Sequence, residues 1–253
     1  MGMEDSTFST HQSGMIPSGI EGLDNYLEGG IAEGTTVLLM AEPGAGSSLF
    51  VQQFAYGGIE NNEYVLFFDS EQRPEMINSN MARFGMNIYP HIGKNINIID
   101  VHKYREQGRE DELYNKYLRD TDINPILGEM LSEITENESE KKCRTIVYSL
   151  SYFIRLAGMD PVVEAIESLS KRGDINKSVN FLHITKGMHG TTVENTLKQV
   201  CDTVIELQVE ERSFNVQRTI FIRKLYGSIA PDNFLPYYIG KEGIKLDTTK
   251  RIL

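Results

Sequence analysis

Cysteine is scarce in this sequence. Cys143 and Cys201 lie far apart and lack the close spacing of paired metal ligands. Each lies in or beside an apolar run, which is typical of reduced thiols in the core of a protein from a reducing compartment. The sequence therefore argues against a disulfide framework and against a cysteine-bound metal.

Long apolar runs are also missing. No run reaches the roughly 18 consecutive apolar residues that a membrane-spanning helix requires. The first residues, MGMEDSTFSTHQSG, are polar and acidic and lack the basic and apolar regions of a secretory signal. The sequence therefore predicts a cytoplasmic protein without a transmembrane segment.

Positive charge is in deficit. The chain carries 25 Lys and Arg residues against 36 Asp and Glu residues, which gives a net charge of −11 and a pI of about 5.0. A broad nucleic-acid surface needs clustered Lys and Arg, so the composition argues against nucleic acid as a partner. Hydrophobic residues make up 40% of the 253, which is ordinary for one large globular domain.

What the sequence does contain is a series of short apolar runs separated by helical patterns. Five runs are predicted to be buried strands. They are Thr35–Met40, Tyr64–Asp69, Asn95–Val101, Arg144–Leu150 and Val179–Thr185. The later segments DTVIELQVEE, VQRTIFIRKLYG and LPYYIGKEGIKLD predict successive antiparallel strands. This order predicts an α/β fold with a mostly parallel central sheet, helices on both faces and a C-terminal antiparallel extension.

The predicted domain layout has three parts. Residues 1–15 are expected to form a flexible arm and residues 16–253 a single domain, with a charged helical insertion at about 102–142. Within the insertion, the apolar spacing from Ile126 to Ile134 indicates one amphipathic helix. A mobile insertion and a solvated helix face both fit the dense charge at 103–122. A further helix is predicted with Pro161 at its start and Gly173 after its end.

The most informative stretch is AEPGAGSSLF, residues 41–50, between a predicted strand and a predicted helix. A Gly-rich turn in this position is typical of a phosphate-binding loop with the pattern G-x-x-x-x-G-K-[ST]. Gly46 and Ser48 match that pattern, but Ser47 occupies the lysine position and Ala41 the first glycine position. Since Ala41 cannot readily adopt a positive φ, we expect it to narrow the turn slightly.

In order and spacing, these segments resemble the KaiC family of RecA-like ATPases, including its archaeal single-domain members. IPSGIEGLDNYLEGGIAEG is similar to the family's lead-in segment, and AEPGAGSS stands where the family has GEPGTGKT. RTIVYSLSYF stands where it has VVIDSLS, and IRKLYGS and LPYYIGKEGI look like its closing hairpins. The resemblance covers residues 16–247. It implies a RecA-like P-loop fold that binds ATP or another nucleotide with magnesium.

The resemblance assigns the nucleotide contacts to one continuous segment. Its residues are Glu42, Pro43, Gly44, Ala45, Gly46, Ser47, Ser48 and Leu49. Ser48 is the implied magnesium ligand. Ser47 replaces the lysine that contacts the β and γ phosphates, and its hydroxyl carries no charge. The backbone donors are unchanged, so we expect a formed loop that binds nucleotide weakly or not at all.

A second charged group is also replaced. The aspartate at the end of the family's fourth strand corresponds to Tyr148. A phenol, with an unperturbed pKa of about 10, cannot replace a carboxylate that orients magnesium-bound water. Tyr148 either occupies part of the site or packs as an ordinary strand residue, and the sequence leaves both interpretations open.

Two more positions follow from the resemblance. The family carries two adjacent glutamates after its second strand, which correspond to Glu71 and Gln72. Glu71 is either a base that activates water or a solvated loop carboxylate. Lys224 matches a lysine that reaches the γ-phosphate of a neighbouring subunit, and the alternative is a solvent-facing strand lysine. The family's arginine two residues later is Tyr226 here.

Two other features have plain structural explanations. The segment TKGMHGTTVENT, residues 185–196, stands where recombinases keep a DNA-contacting loop. It offers Lys186 and His189, and its glycines suffice to explain it as a turn. His183 lies within a predicted buried strand and is expected to be a satisfied core histidine.

Loss of both charges predicts little hydrolysis, because each such group typically lowers the barrier by ~3 kcal/mol or more. We therefore expect an inactive or very weak ATPase that acts as a regulatory, signalling or assembly component. Its expected partners are further copies of itself, or RecA-like or signalling proteins in a hetero-oligomer. The alternatives are a slow but active oligomeric ATPase that uses Glu71 and Lys224, a recombinase paralogue, or an archaellum accessory protein.

Overall fold

The computed structural model describes residues 14–101, 125–137, 142–212 and 215–247. Residues 1–13 of the predicted arm lie outside these ranges. So do residues 102–124 and 138–141 of the predicted insertion. Among the described residues, no helix has the length and apolar character needed to cross a membrane.

Among the described residues, nine strands form the central sheet, in the order β11-β10-β9-β8-β3-β7-β6-β4-β5. The parallel strands are β3 (Thr36–Ala41), β4 (Tyr64–Asp69), β5 (Ile96–Asp100), β6 (Cys143–Tyr148), β7 (Val179–Thr185) and β8 (Thr203–Arg212). The antiparallel extension is β9 (Asn215–Lys224), β10 (Leu235–Gly240) and β11 (Gly243–Leu246). A separate ribbon pairs β1 (Met15–Ile16) with β2 (Ile31–Ala32). The predicted α/β fold class is confirmed.

The successive antiparallel strands predicted near the end of the chain are confirmed, and the first of them has an additional parallel neighbour. The segment DTVIELQVEE forms most of β8, which pairs in parallel with β3 and antiparallel with β9. It is therefore the last parallel strand of the sheet as well as the first strand of the antiparallel extension. An alternating pattern reports which face is buried and carries no information about the direction of the neighbouring strand.

In the described part of the chain, six α-helices cover the two faces of this sheet. They are α1 (Ser47–Glu60), α2 (Pro74–Arg83), α3 (Pro125–Asn137), α4 (Leu150–Ala157), α5 (Met159–Asn176) and α6 (Gly190–Val200). Helices α1 and α2 pack on one face, and α3 to α6 pack on the other. The amphipathic helix expected from Ile126 to Ile134 is α3, whose Leu127, Met130 and Ile134 are buried.

Two boundaries differ from the sequence-based expectation. The apolar run predicted to continue β6 into a turn becomes helix α4, because the Ser149 side chain accepts a hydrogen bond from the Ser151 N–H and caps it. Helix α5 continues through Gly173 to Asn176. A side chain at Gly173 would come within 3.0 Å of the Ser178 carbonyl, so this glycine permits a close approach and does not end the helix.

A buried arginine ties the start of the chain to the sheet. Arg144 of β6 is fully buried, and its guanidinium forms an ion pair with Glu63 before β4. The guanidinium also donates to the Pro17 carbonyl at 2.9 Å and to the Phe54 carbonyl at 2.8 Å. It lies 4.5 Å from the centre of the Phe54 ring. One side chain therefore joins the N-terminal segment, helix α1 and the entry to β4.

We expect Arg144→Leu to lower the free energy of unfolding by about 3–5 kcal/mol, because it leaves the Glu63 carboxylate buried without a cation. Urea unfolding measures this change. Arg83→Leu, at the exposed end of α2, is the matched control and should change stability by less than about 1 kcal/mol. The double variant Arg144→Leu/Glu63→Leu should recover part of the loss. Equal effects of Arg144→Leu and Arg83→Leu would contradict this role for Arg144.

Candidate functional site

The loop between β3 and α1 has the backbone of a formed phosphate-binding turn. Gly44 and Gly46 have φ values of 83° and 85°, which an L side chain rarely adopts. Ala41 is the last residue of β3 and has an ordinary extended backbone. The expectation that Ala41 narrows the turn is therefore wrong, because that position needs no positive φ in this loop.

The amino end of α1 presents unpaired donors to this loop. Gly46 is the N-cap and supplies no side-chain acceptor. The N–H groups of Ser47, Ser48 and Leu49, in the first turn of α1, have no intrahelical acceptor. A side chain built at Gly44 would meet nothing within 4 Å, so the loop is open at that point. Together with the positive end of the helix dipole, these donors favour an anion.

Residues on and beside neighbouring strands form hydrogen bonds with the β3–α1 loop. The Glu42 carboxylate accepts from the Val209 N–H at 2.8 Å and from Lys186 Nζ at 3.2 Å. Arg218 Nε on β9 donates to the Gly44 carbonyl at 3.2 Å, and the Tyr237 hydroxyl on β10 donates to the Ala45 carbonyl. Sequence reasoning missed Arg218 and Tyr237, since both come from distant hairpin strands.

The two substituted positions contact each other. Ser47 Oγ lies 3.2 Å from the Tyr148 hydroxyl, within hydrogen-bonding distance. Tyr148 is 5% exposed, and burial raises the pKa of its phenol, so it is neutral at physiological pH. The two interpretations of Tyr148 are both correct: it packs as a strand residue and its hydroxyl enters the site.

The hydroxyl of Ser48 is surrounded by amide donors. Gln52 Nε2 donates to Ser48 Oγ at 3.1 Å, and Gln72 Nε2 donates to it at 3.0 Å. Asn80 Nδ2 donates to Gln72 Oε1 at 2.8 Å, which orients the Gln72 amide. A hydroxyl has two lone pairs, and these two amides use both. This arrangement disfavours the magnesium role implied for Ser48.

Two carboxylates follow strand β4 beside Tyr148. Asp69 Oδ1 accepts from the N–H groups of Glu71 at 2.6 Å and Gln72 at 2.7 Å, while its buried Oδ2 has no hydrogen-bond partner. Burial raises the pKa of Asp69 to about 7, against the effect of these two donors. Burial also raises the pKa of Glu71, and a hydrogen bond with Tyr148 and the charge of Arg155 oppose that rise.

His183 is the second ring beneath the loop. It is buried and stacks on Tyr148, with ring centres 4.3 Å apart. Burial lowers its pKa to about 3, so the imidazole is neutral. The expectation of a core histidine is correct about burial, but the ring is not satisfied, because its buried Nδ1 has no hydrogen-bond partner.

Lys224 is the last residue of β9 and lies at the end of that strand away from the β3–α1 loop. Its Nζ donates to the Cys201 carbonyl at 2.6 Å and to the Gln199 carbonyl at 3.3 Å. These hydrogen bonds cap the carboxyl end of α6. Within its own chain, Lys224 therefore has a structural role. Its role toward a neighbouring subunit stays a prediction.

The stretch expected to be a plain turn, residues 185–196, is partly helical. Helix α6 begins within it at Gly190, and His189 is the N-cap residue. Lys186 is paired with Glu42 at 3.2 Å and with the buried Glu206 at 3.4 Å. A cation paired with two carboxylates is a poor candidate for binding nucleic-acid phosphates, in keeping with the negative charge of the chain.

This sheet order and this loop define a RecA-like P-loop domain. A sequence model of the family described as "ATPase: KaiC" matches residues 16–251. The chain therefore belongs to the KaiC family of ATPases, as its sequence pattern predicted. Nucleotide binding, typically with magnesium, is the property that this membership implies.

Relatives of similar length support the assignment. A UPF0273 protein of Methanopyrus kandleri is 27% identical over 238 residues, covering 93% of this chain and 92% of its own. A UPF0273 protein of Thermotoga maritima is 28% identical over 239 residues, covering 90% and 94%. The circadian clock oscillator protein KaiC of Thermostichus vulcanus is 40% identical over 74 residues, which are 29% of this chain and 14% of that protein.

A solved structure agrees with the fold. The crystal structure of a KaiC-like protein from Pyrococcus horikoshii superposes with a TM-score of 0.71 at 24% identity. The match covers 93% of this chain and 99% of that one. At this identity the likeness establishes the fold alone.

The loop fits a nucleotide better than it fits a metal. The open backbone at Gly44 and the N–H groups of the first turn of α1 suit a phosphate chain. Magnesium prefers oxygen ligands such as carboxylates, but the lone pairs of Ser48 are taken and Tyr148 stands at the carboxylate position. Among the described residues, no three His, Cys, Asp or Glu side chains converge as a metal site. The protein oxygens at positions 48 and 148 therefore do not fit the ion.

The raised pKa of Asp69 makes a pH-dependent contribution to stability. Its folded-state pKa of about 7 lies above the unfolded value of ~3.9, so the folded state binds more protons between these values. The contribution is fully present below the unfolded pKa and is lost as the pH rises through 7.

From pH 5.5 to pH 8 we expect the free energy of unfolding of the parent to fall by about 2 kcal/mol relative to that of Asp69→Asn. Urea unfolding of both proteins at each pH measures this difference. Parallel pH profiles would show that Asp69 titrates normally.

Proposed function

We propose that this chain is a KaiC-family protein that binds a nucleotide without hydrolysing it at a useful rate. It acts as a regulatory, signalling or assembly component, in a homo-oligomer or with RecA-like or signalling partners. The observation that carries the proposal is the 3.2 Å contact between Ser47 Oγ and the Tyr148 hydroxyl. Two neutral hydroxyls meet where phosphoryl transfer requires a lysine and a carboxylate.

Charge stabilisation supports this assignment. In phosphoryl transfer the protein contributes mainly position and charge at the phosphoryl oxygens. Burial keeps Tyr148 in its neutral form, and Ser47 has no charge to offer. Each missing group typically costs ~3 kcal/mol of transition-state stabilisation. Two such losses raise the barrier by ~6 kcal/mol if their effects add, which corresponds to a rate about 10⁴-fold lower.

A slow ATPase is the second candidate, and one observation favours it. Burial raises the pKa of Glu71, which brings this carboxylate closer to the range of an effective general base. Such an enzyme would use Glu71 to activate water and Lys224 of a neighbouring subunit to contact the γ-phosphate. A base alone leaves the phosphoryl oxygens without compensating charge, so we prefer the non-hydrolysing function.

Steady-state release of phosphate from ATP with magnesium tests this proposal. The parent should show no release that depends on Glu71, so that parent and Glu71→Gln give the same background. Ser47→Lys/Tyr148→Asp returns both charges and should hydrolyse ATP at least about 100-fold faster than the parent. Each single variant should remain near background, and circular dichroism checks that all variants fold.

Turnover in the parent that disappears in Glu71→Gln would contradict the proposal and favour the slow ATPase. Parent turnover that also requires Lys224 would assign the trans contact to this chain. Lys198→Ala is the control for substitution of Lys224. It removes a lysine of α6 whose Nζ lies 3.9 Å from the Glu206 carboxylate.

A further inference from the structure

The hydrogen-bonding capacity of Ser48 is fixed by its two amide neighbours. Gln52 and Gln72 each donate an N–H to its Oγ, at 3.1 and 3.0 Å. The Gln72 amide cannot turn round without losing its bond from Asn80, since its Oε1 accepts that donor at 2.8 Å. What remains to Ser48 is its hydroxyl hydrogen, which is a donor. The side chain therefore suits an anionic oxygen and not a cation.

The side chains next to Ser48 are also poor ligands for a cation. The Tyr148 phenol is neutral, contacts Ser47 at 3.2 Å and is also hydrogen-bonded to the Glu71 carboxylate. It therefore offers no negative charge to a cation. The nearest carboxylate on β4, Asp69, uses Oδ1 for two backbone N–H groups, and its Oδ2 is buried. The exposed Glu71 carboxylate is engaged by its hydrogen bond with Tyr148 and by the charge of Arg155. The two positions at which the family holds magnesium, Ser48 and Tyr148, therefore offer the ion neither a free lone pair nor a carboxylate.

Donors and positive charge converge on the same loop. The N–H groups of Ser47, Ser48 and Leu49 lack intrahelical acceptors, and the helix dipole adds partial positive charge. The Arg218 guanidinium rests on the Gly44 carbonyl at 3.2 Å, at the open side of the loop. The resulting site has many donors for phosphate oxygens, while the lone pairs of Ser48 are taken and Tyr148 supplies no carboxylate for a metal.

We propose that this site binds the phosphate chain of a nucleotide as a metal-free anion, without magnesium in the complex. This inference rests on the proposed function, since it concerns the same nucleotide site. It also gives a physical reason for the proposed lack of hydrolysis: the site does not hold the ion that would neutralise charge on the phosphoryl oxygens.

Isothermal titration with ATP tests the inference, once with excess magnesium chloride and once with EDTA. The dissociation constant of the parent for ATP in EDTA should be no more than about threefold above its value with magnesium. Gln72→Glu replaces one amide donor with a carboxylate and frees a lone pair of Ser48. This variant should bind at least about tenfold more tightly with magnesium than with EDTA. Gln199→Glu, at an exposed position on α6, adds the same charge elsewhere and should behave like the parent.

The binding results test the metal-free site independently of the hydrolysis measurement. Binding by the parent that is lost in EDTA would overturn it, even if no ATP is hydrolysed. No binding in either condition would also overturn it. If Gln72→Glu fails to fold, Tyr148→Asp replaces it, because a carboxylate there should also make binding depend on magnesium. Equal affinity in both conditions, together with ATP turnover, would support the metal-free site and contradict the proposed function instead.

Discussion

The site depends on one constraint: the parallel strands end level with one another at the edge that carries the β3–α1 loop. Asp69 at the end of β4 pairs with Tyr148 at the end of β6, and β7 continues the row with His183 stacked on Tyr148. Residues far apart in sequence therefore form one polar layer beneath the loop. Tyr148 connects this layer to the amino end of α1 through its contact with Ser47.

The fold was predictable because its signals are local. Apolar runs of strand length alternate with amphipathic helical segments. Helices cover both faces of the sheet, so β3, β4, β6 and β7 are buried and mostly apolar. The two boundary errors have different causes. The Ser149 cap starts a helix inside an apolar run, and Gly173 serves a close contact with the Ser178 carbonyl instead of ending a helix. The parallel pairing of β8 was missed because its partner, β3, is distant in the chain.

The chemistry of the site was only partly predictable. The positions of Ser47 and Tyr148 follow from the order of motifs, but their contact joins side chains 101 residues apart. Side-chain hydrogen bonds of this kind leave no periodic trace in a sequence. The same applies to the Gln72 amide on Ser48, to Arg218 on the loop carbonyl and to the cap that Lys224 forms on α6. These contacts change the interpretation from a weakened magnesium site to a donor-lined anion site.

The central claim is that a bound nucleotide remains intact in this site. A single-turnover experiment tests it most directly, with the protein in excess over ATP labelled at the γ-phosphate and at a concentration that binds all of the label. The account predicts that the label is recovered as ATP after hours at 25 °C, with and without magnesium. Release of labelled phosphate at a rate proportional to bound ATP, and lost in Glu71→Gln, would contradict it.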